Sequence, residues 1–304
     1  MRVRIVAEVG SNYDGDLALA KRYVKAAKAA GADAVKFQTL RHDKLFAPEV
    51  KQGETWIENP VLKRVKNLEL PDAWHFELKA VADEVQIEFI STPFYLEAVD
   101  LLERVGVPYY KVASGDVTFV PLLERIASTS KPVVLSTGAS TLDEVRAGVE
   151  VLTRNGAGPT TLLHCVSKYP PEFSEMNLRA QATLQKEFAT EVGISDHSPG
   201  WLVPLASVAL GGTFIEKHVT FDPSRDGPDH PFALAFDDFA EMVRQVRTLE
   251  TALGTGVKVP SADEAARRHR FRRSPYDPKT HRPTDASAPA IWLRPDASVL
   301  QDWT

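Results

Sequence analysis

The chain has 304 residues, 43% hydrophobic and 25% charged, with a formal net charge of −5, which suits one large globular domain or two small ones. A net negative chain argues against nucleic-acid binding, so any anionic ligand must be met by a local cluster of basic groups. The single cysteine, Cys165, cannot close an intramolecular disulfide, and no apolar run approaches the roughly eighteen residues a membrane span needs; the expectation is a cytoplasmic protein with no membrane partner.

Short β-rich segments at 3–9, 34–39, 88–92, 108–113, 132–136, 160–165, 191–195 and 214–219 alternate with helical patterns. Residues 1–10 read as a strand from the outset, with no signal-peptide core. Within 17–31, Leu17, Ala20, Val24, Ala27 and Ala30 share one stripe, and Gly31 supplies a C-cap. Residues 40–70 form a long insertion of the kind that covers a ligand on a barrel rim. The stretch 71–85 opens with Pro71 near a first turn, and helical periodicity recurs at 95–107, 119–129, 141–156 and 236–254. Pro204 predicts that the helix within 201–212 starts late or is kinked. Eight alternations over about 250 residues, with nearly continuous apolar strands, predict an α/β protein built as a closed parallel (β/α)8 TIM barrel. The open dinucleotide-binding alternative lacks its GxGxxG, since the first strand runs into EVGSNYDG. The barrel is assigned to residues 1–256. Residues 257–304, with the basic run Arg267–Arg273 and a proline-rich stretch, are expected to form a short irregular C-terminal arm with no core of its own.

Barrels of this kind carry their chemistry where strands run into the following helices. Glu8 ends the first strand, with Asn12 just beyond. Lys36 and Gln38 share one face of the second. Thr92 ends the third, Lys111, Ser114 and Asp116 the fourth, Ser136 the fifth, and Tyr169 follows the sixth. Ser195 and His197 end the seventh and His218 the eighth, with Asp229 beyond. Lys36 and Lys111 lie inside apolar strands, where an unpaired ammonium is costly to bury. Their convergence on one mouth points to a dianionic ligand. The Ser-Thr turns serve either as helix caps or as donors to phosphate oxygens. Glu8 either pairs with a lysine or meets the substrate. His197 and His218, on adjacent strand ends, read as metal ligands, against the plainer reading of satisfied core histidines. His164 sits too early for that role, and Cys165 reads as a small buried residue. The Arg267–Arg273 run is a solvated face or a reach toward phosphate.

Together the segments AEVGSNYDG, VKFQT, FISTPF, YKVASGD, VVLSTG, LLHCVSKYP, GISDHS and FIEKHVTFDPSRDGPDHPFAL resemble the sialic acid synthase family, the phosphoenolpyruvate-dependent synthases of nonulosonic acids. The resemblance implies condensation of phosphoenolpyruvate with the aldehyde of an N-acyl amino-sugar such as N-acetylmannosamine, with release of phosphate and a requirement for Mn2+ or Mg2+. By motif matching, Lys36, Thr92, Lys111, Ser114, Ser136 and Ser195 would hold phosphoenolpyruvate, and His197 and His218 the metal. Glu8, Asp116, Tyr169 and Asp229 would face the sugar or move protons, with Glu8 the first candidate base and Asp116 the second. Lys111 would also stabilise charge on the departing phosphate. The chain departs from the family pattern at Tyr13 (His is usual), Asp116 (Glu) and Ser167 (Asn). After FRRSPY at 271–276 the expectation is that the family's small C-terminal antifreeze-like domain is missing. A homodimer is expected, with Ile291–Leu293, Val299, Leu300 and Trp303 packing the arm on a barrel, its own or its partner's, and Arg267–Arg273 lending a cation to the site. Two rivals remain: a Schiff-base aldolase using Lys111 or Lys36, and a barrel that binds sugar or phosphate without turnover.

Overall fold

The computed structural model describes residues 2–286 and 289–297. The chain divides into two compact units, Met1–Leu253 and Gly254–Thr304. In the first, eight parallel strands, β1 (Arg4–Glu8), β2 (Ala34–Thr39), β3 (Glu88–Pro93), β4 (Tyr110–Val112), β5 (Val133–Ser136), β6 (Thr160–Cys165), β7 (Val192–Asp196) and β8 (Phe214–Thr220), alternate with eight helices. These are α1 (Leu17–Ala29), α2 (Asp72–Glu84), α3 (Leu96–Val105), α4 (Val120–Ala127), α5 (Leu142–Arg154), α6 (Ala180–Phe188), α7 (Leu202–Ala209) and α8 (Phe236–Leu253). The hydrogen-bonded order β3-β2-β1-β8-β7-β6-β5-β4 runs around a nearly closed ring, and each predicted strand lies within two residues of its observed bounds. The architecture is a (β/α)8 barrel.

Local chemistry sets the element ends. Asp16 caps α1 by accepting from Ala18 N at 2.7 Å and Leu19 N at 3.2 Å. Thr141 and Glu144 form a capping box on α5. Pro204 falls in the first turn of α7, where its missing N–H costs nothing.

Period-two alternation splits each strand between two environments. One set, including Ile5, Val35, Phe37, Phe89, Leu135 and Ile215, packs with Leu102, Leu122 and Phe239 of the helical layer. The other faces the lumen, where Val6, Ala34, Ile90, Tyr109, Val134, Leu163 and Phe214 form a separate apolar plug. Phe214 can enter this plug because Gly193 lies beside it; a Cβ on Gly193 would come within 2.2 Å of the Phe214 carbonyl oxygen. Two residues further along nearly every strand the lumen turns polar, with Glu8, Lys36, Thr92, Lys111, Ser136, Ser195 and Glu216.

The 40–70 insertion holds an antiparallel ribbon, Glu49–Gln52 with Thr55–Glu58. Asn59 closes it by donating through Nδ2 to Ala47 O at 2.9 Å. In the second unit, a helix α9 (Ala262–Phe271) opens with a Ser261–Glu264 capping box, and Ser274–Tyr276 pairs with Ile291–Leu293. That helix was not expected from the sequence, whose proline-rich stretch begins only after it. Ile291 and Leu293 are half-buried and Trp292 is exposed, while Val299, Leu300 and Trp303 lie outside the described residues. Among the described residues no helix is long and apolar enough to cross a membrane.

Candidate active site

The mouth of the barrel is a cavity of about 750 Å³, lined by all twelve residues to which motif matching gave a role: Glu8, Lys36, Thr92, Lys111, Ser114, Asp116, Ser136, Tyr169, Ser195, His197, His218 and Asp229. It also takes in Gln38, Cys165, Ser167 and Glu216. Of the histidines weighed earlier, His164 is not among them; its Nε2 contacts Met176 O at 2.6 Å.

The two lysines are not left unpaired. Lys36 Nζ lies 2.8 Å from Glu8 Oε2 and donates to Thr92 Oγ1 at 3.1 Å. Lys111 Nζ donates to Ser136 Oγ at 2.6 Å. Between them sits Glu216, 3.8 Å from Lys36 and 3.7 Å from Lys111, accepting from Ser195 Oγ at 3.0 Å. Sequence reasoning passed over Glu216, although its two-residue spacing from His218 on one strand places both on the lumen face. An incoming anion therefore competes with carboxylates already engaged, and the lysines' presence alone does not require a dianion.

Burial acts differently on each group. It pushes the Glu8 carboxyl up to about 7, against the opposing pull of Lys36. It raises Asp116 to about 6, again opposed by a lysine, Lys111. Burial also pushes Glu216 upward, but Lys111 and Lys36 outweigh it and hold that carboxyl below its ordinary value. Burial depresses the Lys111 ammonium; Lys36 feels the same burial, yet Glu216 and Glu8 keep it above its ordinary value. The mouth thus holds one carboxyl poised near neutrality beside another kept ionised, a separation suited to acid–base work.

His197 and His218 face each other with ring centroids 5.5 Å apart. Burial, with His218 adding to it, lowers His197 to about 4; burial likewise lowers His218 to about 4, so both imidazoles are neutral at physiological pH. His197 Nδ1 bonds to Val166 O at 3.1 Å, while His218 Nδ1 is buried with no partner among the described residues. Neutral imidazoles with an unsatisfied buried nitrogen fit a divalent cation. Tyr169 lies against His197 at 4.2 Å between ring centroids and is more than half exposed. Asp229 is held over the mouth by Ser11, through N–H at 2.9 Å and Oγ at 2.8 Å. Gly10, with φ +55°, makes room for it: a Cβ there would meet Asp229 Oδ2 at 2.4 Å. A second group of possible metal donors, His42, Asp43 and Glu69, sits in the insertion. His42 and Glu69 already satisfy each other, and none of the three lines the cavity.

Asp116 and Ser114 follow β4. Asp116 Oδ2 is buried without a hydrogen-bond partner among the described residues, and Ser114 Oγ accepts from Gly138 N at 2.9 Å. The mouth thus gathers hydroxyls, ammoniums, imidazoles and carboxylates around one cavity.

A model of the NeuB family matches residues 23–258. The chain is 39% identical over 277 residues to the N,N'-diacetyllegionaminic acid synthase of Campylobacter jejuni, spanning 89% of this chain and 83% of that one. It is 36% identical over 283 residues to a pseudaminic acid synthase of Campylobacter jejuni, spanning 91% and 82%. Among solved structures, the N-acetylneuraminic acid synthetase of Leptospira borgpetersenii in complex with citrate superposes with a TM-score of 0.81 at 34% identity, over 88% of this chain and 90% of that one.

Proposed function

The chain belongs to the NeuB family, and from that premise we propose that it condenses phosphoenolpyruvate with the open-chain aldehyde of an N-acyl amino-sugar, giving a nonulosonic acid and phosphate. The observation that carries this reading is one cavity that gathers two ammoniums with hydroxyls beside them, two neutral imidazoles and a near-neutral carboxyl in register with both Lys36 and His218. The relatives named above make acids of this class.

In the proposed reaction Lys36, Thr92, Lys111, Ser114, Ser136 and Ser195 hold phosphoenolpyruvate. A divalent ion, Mn2+ or Mg2+, held by His197 and His218 would polarise the aldehyde oxygen. C3 of the enol ester attacks the aldehyde carbon with the electron pair of its C2–C3 double bond; a C–C bond forms, and the aldehyde oxygen takes up a proton to become a hydroxyl. Water then adds to the cationic C2, losing a proton to Glu8, with Asp116 the second candidate. The C2–O bond to phosphate breaks as the new C2 hydroxyl becomes the keto oxygen, its proton passing to the departing phosphate, and Lys111 with Ser136 stabilises the charge that accumulates on the leaving group. Tyr169 and Asp229, with Glu8, orient the sugar. Glu8 can take the proton because burial has already brought its carboxyl close to neutrality.

The deciding experiment is phosphate release in the presence of Mn2+, phosphoenolpyruvate and a panel of 2-acetamido and 2,4-diacetamido sugars. No release with any acceptor overturns the synthase reading and leaves a binding barrel. The burial-depressed Lys111 ammonium favours one other chemistry, a Schiff base. A pyruvate adduct trapped by borohydride would replace the synthase with an aldolase. We further propose a cytoplasmic homodimer; a single-subunit mass by light scattering overturns the dimer.

A further inference from the structure

Behind the mouth, on the outer side of β7 and β8, lies an ion pair that the cavity does not use. Asp196 and Lys217 stand opposite each other in the β7–β8 register, with both side chains 0% exposed and Nζ 2.6 Å from Oδ2. Neither lines the cavity. Neighbouring strand residues alternate faces, so Ser195 and Glu216 look into the lumen while Asp196 and Lys217 look away from it.

The pair does more than neutralise itself. Lys217 Nζ also donates to the Ser198 carbonyl, and Asp196 Oδ1 accepts from Ser198 N at 3.0 Å. One ammonium therefore grips the residue before His197 and the residue after it, from the position immediately before His218. The two imidazoles need this unequally. His218 lies within β8, in register with Glu8 of β1. His197 is the first residue past the end of β7, beyond the ladder that would fix its main chain. Its ring is held by Val166 O, Cys165 Sγ, Tyr169 and Phe232, while the Lys217–Asp196–Ser198 staple holds the main chain on either side of it.

A buried ion pair returns little net stability, because desolvation consumes most of the attraction; its best-attested contribution is a unique arrangement. We propose that Lys217 and Asp196 are positioning residues for the imidazole pair, setting the spacing of His197 and His218 and hence the affinity of the mouth for a divalent cation. The proposal rests on the reading that these two imidazoles hold the metal.

The test uses the full chain without substrates. Mn2+ affinity is measured by titration, following the electron paramagnetic resonance of the free ion, and melting is followed by circular dichroism. In the double variant Asp196→Leu with Lys217→Met, apolar side chains replace the pair, so no lone charge is left buried. Its melting temperature is expected to fall only modestly, because the Ser198 N–H and C=O lose their partners while the pair itself returns little. Mn2+ binding measured well below melting is expected to weaken about 10- to 100-fold, as for the loss of an outer partner of a metal ligand. The isosteric Asp196→Asn, which keeps the shape and weakens only the ionic grip, is expected to lose affinity several-fold and covers the case in which the double variant does not fold. A purely structural pair predicts affinity that tracks stability. Wild-type Mn2+ affinity in either folded variant overturns the proposal. A parent chain that takes up no Mn2+ overturns the metal reading and the proposal together, which separates the two failures.

Discussion

The floor and the rim of this barrel are built by the same strands only two residues apart, yet they are held together in opposite ways. At the floor Val6, Ala34, Ile90, Val134, Leu163 and Phe214 fill the lumen with apolar surface around a single hydroxyl, that of Tyr109. At the rim Glu8, Lys36, Lys111 and Glu216 are crowded at 2.8–3.8 Å, and Glu216 Oε2, Asp116 Oδ2 and His218 Nδ1 are buried without hydrogen-bond partners among the described residues. Unsatisfied buried polar atoms cost about 1–3 kcal/mol each, so the rim is maintained against stability and the floor supplies the packing that tolerates it.

That contrast can be broken from either side. The largest effect is expected at the rim: His218→Ala should lower phosphate release by about a thousandfold or more, the several kcal/mol that a Lewis acid contributes, with melting little changed. Full activity in excess chelator would remove the metal from the scheme. Lys111→Met should weaken phosphoenolpyruvate binding by about 2–5 kcal/mol in calorimetry, since Glu216 loses one of its two ammoniums. Unaltered affinity would take Lys111 out of the anion site. For Glu8 the sign follows from its role: a base must be unprotonated, so kcat/KM should fall about tenfold per pH unit as pH drops below about 7, where burial places its carboxyl. A Glu8→Gln variant whose residual rate still shows that limb would assign the limb to another group. The smallest effect on turnover is expected at the floor. Gly193→Ala drives a Cβ to 2.2 Å from the Phe214 carbonyl oxygen and should cost about 1–3 kcal/mol in denaturant unfolding, while the folded fraction keeps activity within tenfold. If stability holds and turnover collapses instead, floor and rim are not separable.

The layering explains what could be read in advance. Strands buried on both faces appear as continuous apolar runs, so all eight were legible, and their ends marked the rim residues. The carboxylate partners of the lysines were harder, because Glu216 reaches Lys36 and Lys111 across the lumen from strands far apart in sequence. Its presence on the lumen face was available from the two-residue step to His218; its partners were not. The Asp196–Lys217 pair depends on the register between two strands, which no local pattern encodes. The helix α9 was legible in the Ser261–Glu264 capping box, but the prolines following it drew the whole segment into an irregular reading.

The charges lining the mouth have a consequence for the order of events. Among the described residues lining the cavity, Glu8, Asp116, Glu216 and Asp229 are met by two ammoniums, Lys36 and Lys111, so a phosphorylated carboxylate arriving alone enters a wall that already carries as much negative charge as positive, or more. A divalent cation would offset two of those negative charges, and a proton taken up at Glu8 would remove one. Cation and anion should therefore bind with positive cooperativity, and reciprocity requires each to tighten the other by the same factor. Part of the heat of anion binding should also scale with the ionisation enthalpy of the buffer, as protons are drawn from solution.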